Sequence, residues 1–229
     1  LIPPAITIVL YFLVFGHLIG SRIGKMDGFN YMQYIVPGLI MMTVITNSYG
    51  NVVSSFFGHK FMRSIEELMV SPIPEYIIIV GFIVGGVARG ILVGIIVSFL
   101  SLFFTELHLH HIGITISILI LTAILFSLGG FINAIYANKF DDISIVPTFI
   151  LAPLTYLGGV FYSIDLLPSF WSKVSMANPI VYMVNGFRYG ILGVSDVSLE
   201  VTYMMIAVFI TVLYIWAFIL MRTGYGIRT

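Results

Sequence analysis

Six long blocks of apolar residues, nearly free of charge, take up most of this chain. They run from Pro3 to Ile19, Tyr34 to Phe57, Tyr76 to Phe104, Ile112 to Ala137, Ile143 to Tyr162 and Leu199 to Met221. A helix of roughly 20 apolar residues spans the ~30 Å hydrocarbon core of a bilayer, so each block predicts a transmembrane helix. The third is longer than the hydrocarbon requires, which predicts a tilt or a projection beyond it. No block alternates at period two, which argues against the strands of a transmembrane β-barrel. The pattern therefore predicts an all-α, polytopic membrane protein of six spans, a single transmembrane domain over residues 1–229.

Composition agrees. Residues are 59% hydrophobic and only 9% charged, with mean hydropathy +1.09, whereas soluble domains carry about 25% charge. Ten basic residues balance ten acidic ones, so nothing points to a nucleic-acid partner. Without cysteine, disulfide and thiol chemistry are excluded. The first block begins at once with Pro3 and Pro4 after Leu1; we expect a preceding N-terminal segment rather than a cleaved signal peptide. Six spans put both termini on one side, with Lys60, Arg63, Lys139, Arg222 and Arg228. Arg22, Lys25, Lys173 and Arg188 fall on the other. Five against four gives the positive-inside rule little purchase; the expectation that both termini are cytoplasmic leans on the loop after the second block.

That loop, Gly58 to Glu75, is the most charged segment of the chain. Phe61, Ile65 and Leu68 fall at i, i+4 and i+7, one face of a helix, with Lys60, Arg63, Glu66 and Glu67 mostly opposite. Ser64 and Glu67 have capping-box spacing, which predicts a helix starting at Ser64. Pro72 and Pro74 end it, since neither donates a backbone hydrogen bond. The segment reads either as an interfacial loop returning the chain to the bilayer or as a short docking helix for a soluble partner.

Leu166 to Gly193 is too polar and too interrupted to span. Asn178 is a good N-cap and Pro179 a good first helical residue, and Ile180, Val184, Phe187 and Ile191 mark one face of the helix that follows. A shorter piece around Trp171 precedes it. Two such helices re-enter the membrane part-way, lie flat in the interface, or form a surface loop anchored by Trp171, Tyr182 and Tyr189. Pro147 and Pro153 interrupt the fifth block and permit kinks.

Inside the blocks, Arg89 sits near the middle of the third, where a cation needs a partner or a path to water. It reads either as a structural anchor or as part of a translocation path. Asn47, Ser48 and Asn51 give the second block a polar stripe, either helix-joining or path-lining, and Asn133 adds a polar site in the fourth. Gly81/Gly85, Gly86/Gly90 and Gly90/Gly94 have G-x-x-x-G spacing, which suits close packing within the chain or a dimer seam. No acidic residue lies deep in a block, which argues against a proton relay. His108, His110 and His111 lack a supporting carboxylate cluster, and no metal ligand is assigned.

Arg63, Glu66, Glu67, Leu68 and Pro72 resemble the R-x-x-E-E-L-x-x-x-P segment of ABC-2 type export permeases. Asn178, Pro179 and Tyr182, followed by Phe187 and Arg188, resemble that family's N-P-x-x-Y…F-R segment. Phe140 to Ile143 and Tyr156 to Ser163 fit between them, and the motif order agrees from Pro3 to the end. The resemblance implies a bacterial inner-membrane half-transporter for a hydrophobic or amphiphilic substrate, acting as a homodimer in membrane lipid. Its loop after the second span is a cytoplasmic coupling helix, with Arg63, Ser64, Glu66, Glu67 and Leu68 meeting a separate ATPase subunit. Residues Asn178, Pro179 and Arg188 then belong to an external re-entrant helix pair, and Phe161, Tyr162 and Trp171 become candidates for an outer gate. Such permeases also carry an amphipathic helix before the first span. The chain has no G-x-x-x-x-G-K-[ST] phosphate loop, so ATP and Mg would be bound by the partner and this chain would be no enzyme. A secondary carrier or channel is the alternative, but the buried ionisable pairs and repeat-related broken helices it requires are not visible. An intramembrane enzyme lacks any H-E-x-x-H or G-x-S-x-G pattern.

Overall fold

The computed structural model describes residues 2–26, 28–107 and 109–226; Leu1, His108 and Arg228, discussed above, lie outside them. Among the described residues, three helices are long and apolar enough to cross a membrane: α5 (Glu75–Ser101), α6 (Ile112–Tyr136) and α11 (Leu199–Thr223). All three lie within a few residues of the expected third, fourth and sixth blocks.

The centre of the molecule is the second block, α3 (Tyr31–Phe61), whose 31 residues rise about 46 Å at 1.5 Å per residue. Its main partners are α6 and α5. Asn30 and Gln33 form the capping box that opens it, Asn30 N–H donating to Gln33 Oε1 at 3.2 Å. This start, three residues before the apolar block, was not expected. Gln33, Asn47, Ser48 and Asn51 make α3 more polar than its neighbours, and its place at the centre, wrapped by other helices, tolerates that.

Small residues let those neighbours close in. Gly86, Gly90 and Gly94 of α5 face α3 and α6: a side chain at Gly90 would run into Ser48, and one at Gly86 into Ser127 and Val52. Gly81 and Gly85 meet nothing. The two G-x-x-x-G sets therefore occupy different faces, one packed within the chain and one outward.

The first block forms α1 (Ile2–Tyr11), a π-helical stretch (Phe12–Ile19) and α2 (Gly20–Ile23) in succession. Ile8 and Phe12 are buried against the core, while Ile2, Ile6, Leu10, Leu13 and Val14 are exposed. A two-residue antiparallel ribbon, β1 (Lys25–Met26) with β2 (Phe29–Asn30), joins it to α3, a small departure from an all-helical chain.

The fifth block corrects the sequence expectation. It is helical only from Asp142 to Tyr156, as α7 (Asp142–Val146), a π-helical stretch (Pro147–Leu151) and α8 (Ala152–Tyr156). Pro153 supplies no N–H, and the wider turn before it carries the bond from Ala152 N–H to Pro147 O. The chain then turns at Gly158 and Gly159, the latter at φ +71°, so Leu157 to Tyr162 lie beyond the helix. A one-turn 3-10 segment (Ile164–Leu166) leads to α9 (Ser169–Met176) and α10 (Pro179–Leu192). The latter inserts between α3, α6 and α11 and is buried on nearly every side from Ile180 to Arg188. It does not lie flat on a surface, and its burial is not confined to the face marked by Ile180, Val184, Phe187 and Ile191.

Candidate functional site

At one end of the molecule α3 stops at Phe61 and the seven-residue α4 (Ser64–Val70) begins. Between them Arg63 adopts a left-handed conformation, φ +59°, the only non-glycine residue to do so among those described. Such a residue reverses the chain sharply. The helix starts at Ser64, but the expected capping box does not form. Arg63 is the flanking residue, and Ser64 Oγ turns back to His59, donating to its carbonyl at 3.2 Å and meeting its Nδ1 at 2.9 Å. The left-handed turn aims that hydroxyl at the end of α3 instead of along α4.

Phe61 correspondingly belongs to α3 and is exposed, whereas Ile65 is fully buried. Leu68 lines an apolar cleft with Ile73, Ile77, Ile78, Gly81 and Phe82. Glu66 and Glu67 point outward from the first turn, where carboxylates suit the helix dipole. After α4, Ser71 Oγ donates to Leu68 O at 2.6 Å, and Pro72 and Pro74 separate it from α5. Arg63, Ser64, Glu66, Glu67 and Leu68 thus form one short unit: apolar side docked, acidic side free.

Beside this unit lies a residue with no assigned role in the sequence reading. Lys60 Nζ donates to Ile135 O at 2.7 Å and to Ala137 O at 2.6 Å, carbonyls left without helical partners where α6 ends. A cation there also suits the α6 dipole. Burial pulls the Lys60 pKa below the lysine range, with Asp142 opposing. Just beyond, the Asp142 carboxylate accepts from the N–H groups of Asn138 and Lys139 at 2.8 and 2.9 Å, which holds its pKa below the usual carboxylate value. Asn133 Nδ2 donates to Ile143 O at 3.3 Å. Phe140 packs its ring on Phe57 and Phe61, centroids 5.0 Å apart in both pairs.

The opposite end is organised by Arg188 on α10, expected on a loop-side helix but 1% exposed. Its guanidinium donates to Gly159 O at 2.6 Å and to Asn185 Oδ1 at 3.3 Å, and lies 4.0 Å from the Tyr34 ring centre. The same Asn185 oxygen accepts from Asp196 N–H. The Asp196 carboxylate in turn accepts from Ser163 Oγ and Ile164 N–H at 3.1 and 2.9 Å. One polar chain, buried at Arg188 and Asn185 and partly buried at Asp196, therefore joins α10 to the turn after α8. Asn178 caps α10, its Oδ1 accepting from Ile180 N–H at 3.0 Å, while its Nδ2 donates to Leu154 O at 2.6 Å; Pro179 is the first helical residue.

Of the three gate candidates, Phe161 sits in an aromatic group with Tyr11, Phe15 and Tyr156, the closest centroids 4.8 Å apart. Tyr31 also donates its hydroxyl to Phe161 O. Tyr162 is half-buried. Trp171 is half exposed on α9 and meets Phe170; it shares no ring contact with Phe161 or Tyr162 among the described residues. The three do not form one cluster.

In between, Asn47 Nδ2 donates to Thr43 O in its own helix, and the residue borders a cleft shared with Pro3, Pro4, Thr7 and Tyr11. Asn51 lies half-buried one turn further along α3. Arg89 points away from the chain beside Gly85 and Ala88. His110 stacks edge-on to Tyr189, and no metal-holding group of three ligands occurs among the described residues.

Membrane-length helices with a polar network at each end describe a helical membrane domain. A sequence model of the ABC-2 type transporter matches residues 1–192, and the chain belongs to that family of membrane permeases. Over its whole length, and over 90% of the relative's, it is 58% identical to the inner membrane transport permease YadH of Escherichia coli strain K12. The Shigella flexneri permease of that name matches equally. Nodulation protein J of Rhizobium leguminosarum bv. viciae is 20% identical over 196 residues, 84% of this chain and 76% of that protein.

Proposed function

We propose that two copies of this chain form the membrane part of an ATP-driven exporter in a bacterial inner membrane, each crossing six times with both termini in the cytoplasm. A separate ATPase subunit binds ATP and Mg and docks on α4, while α9 and α10 form the external re-entrant pair. The path between the copies takes a hydrophobic or amphiphilic substrate past Asn47, Asn51 and the Phe161 aromatic group. ATP favours one arrangement of the pair over the other through its differential affinity, and no bond of the substrate is broken in this chain.

The observation that carries this reading is α4 itself. It is only seven residues long, yet it is fixed by a left-handed turn, an Ile65 buried in the core and two following prolines, with Glu66 and Glu67 turned outward. Family membership supplies the expected partner. The test is co-purification of the permease with the ATPase encoded beside it, in mild detergent. A stable two-plus-two complex is expected, with ATPase activity that falls when Glu66→Gln and Glu67→Gln are combined. A permease that purifies alone, takes up no ATPase and still moves solute in liposomes overturns the reading in favour of a carrier or channel.

A further inference from the structure

The geometry points to Lys60 as the positioning residue that carries movement from α4 to the α7–α8 helix, which leads to the Phe161 aromatic group; this rests on the exporter reading above. A push delivered to α4 reaches the last turn of α3 through the tight Met62–Arg63 turn, where Met62 N–H bonds to Gly58 O and Arg63 N–H to Lys60 O. Lys60 then joins that turn to the end of α6 through its two short bonds to Ile135 O and Ala137 O. The carbonyls lead directly into the Asn138–Asp142 loop, which the Asp142 carboxylate holds closed and from which α7 starts. Asn133 of α6 bonds to Ile143 at the same point.

Apart from Lys60, the end regions of α3 and α6 are linked by apolar packing, Phe56 on Phe131 directly and Phe57 and Phe61 on Phe140 of the loop that follows α6. Aromatic faces slide over one another at little cost, whereas a pair of charge-assisted hydrogen bonds fixes direction and distance. Lys60 therefore makes the ends of α3 and α6 move together, and the α7–α8 helix moves with them. Beyond Tyr156 that helix leads to the turn whose Gly159 carbonyl is held by Arg188 and whose Phe161 packs on Tyr11 and Phe15.

Residues 1–229 hold no cysteine, so a spin label at Leu157→Cys, partly exposed just past α8, is the one label within them in each copy, any cysteine outside them being replaced by serine. The distance between the two labels is measured in the permease–ATPase complex, in nanodiscs, without nucleotide and with ATP and vanadate. With Lys60 intact the distance shifts on trapping. In Lys60→Gln and Lys60→Met the ATPase still co-purifies and hydrolyses ATP but the shift is lost, while Lys60→Arg, which keeps charge and donors, retains it. If Lys60→Met does not assemble, Lys60→Gln against Lys60→Arg decides the matter. A residue that merely caps α6 would lower the melting temperature and leave the shift in place, and that result overturns the relay alone. A complex with Lys60 intact that does not shift at all, or does not form, overturns the exporter reading and the relay with it.

Discussion

Two of the short helices, α10 and α4, are held in opposite ways. The 14-residue α10 is packed on nearly every side, capped by Asn178 and pinned by the Arg188 network. The seven-residue α4 touches the rest through Ile65 and Leu68 and leaves Glu66 and Glu67 to solvent. A helix that satisfies its own polar groups inside the chain serves the chain's own architecture. One that presents its carboxylates to solvent on a rigid mount is where the proposed docking role rests.

That contrast sets the order of effects on folding. The largest belongs to Arg188→Met, which strips the charged donor from Gly159 O and Asn185; hydrogen bonds to charged groups contribute about 1.5–3 kcal/mol each. Thermal unfolding in mild detergent should show a pronounced drop, and an unchanged midpoint would mean that α10 is not held as described. Next comes Gly90→Val, which drives a side chain into Ser48 at a typical overpacking cost of about 1–3 kcal/mol. Gly85→Val, on the open face of the same helix, should be close to neutral in the same assay. Asn178→Ala is expected to cost about 1 kcal/mol through loss of the cap, and a larger loss would credit its bond to Leu154 O. The double change Glu66→Gln and Glu67→Gln should fall within about 0.5 kcal/mol, as exposed substitutions do. A substantial loss there would erase the distinction between the two helices.

Much of this arrangement is legible along the chain. The apolar blocks locate α5, α6 and α11 closely, Pro179 after Asn178 marks the start of α10, and Pro72 and Pro74 mark the end of α4. Local signals also mislead. Ser64 and Glu67 have capping-box spacing, but tertiary geometry gives the Ser64 hydroxyl to His59, while the capping box that forms, Asn30 with Gln33, starts α3 before its apolar block. The fifth block stays apolar through Val160 and Phe161, so hydropathy could not register that Gly159 ends it. Lys60 and Arg188 were hardest to read. Each draws its meaning from carbonyls distant in sequence, Ile135 and Ala137 for one, Gly159 for the other. A loop cation and a core anchor look the same in a sequence.

Arg89, alone on the outward face of α5, bears on how the chain enters a membrane during synthesis. At a helix centre an arginine opposes insertion by about 2.5–3.5 kcal/mol, while each Leu, Ile, Val or Phe favours it by about 0.3–0.6. The sixteen such residues in α5 outweigh the single cation even where those near the ends count for less. Its helix therefore needs no acidic partner to leave the translocon, and α5 can be threaded into lipid before α6 has been made.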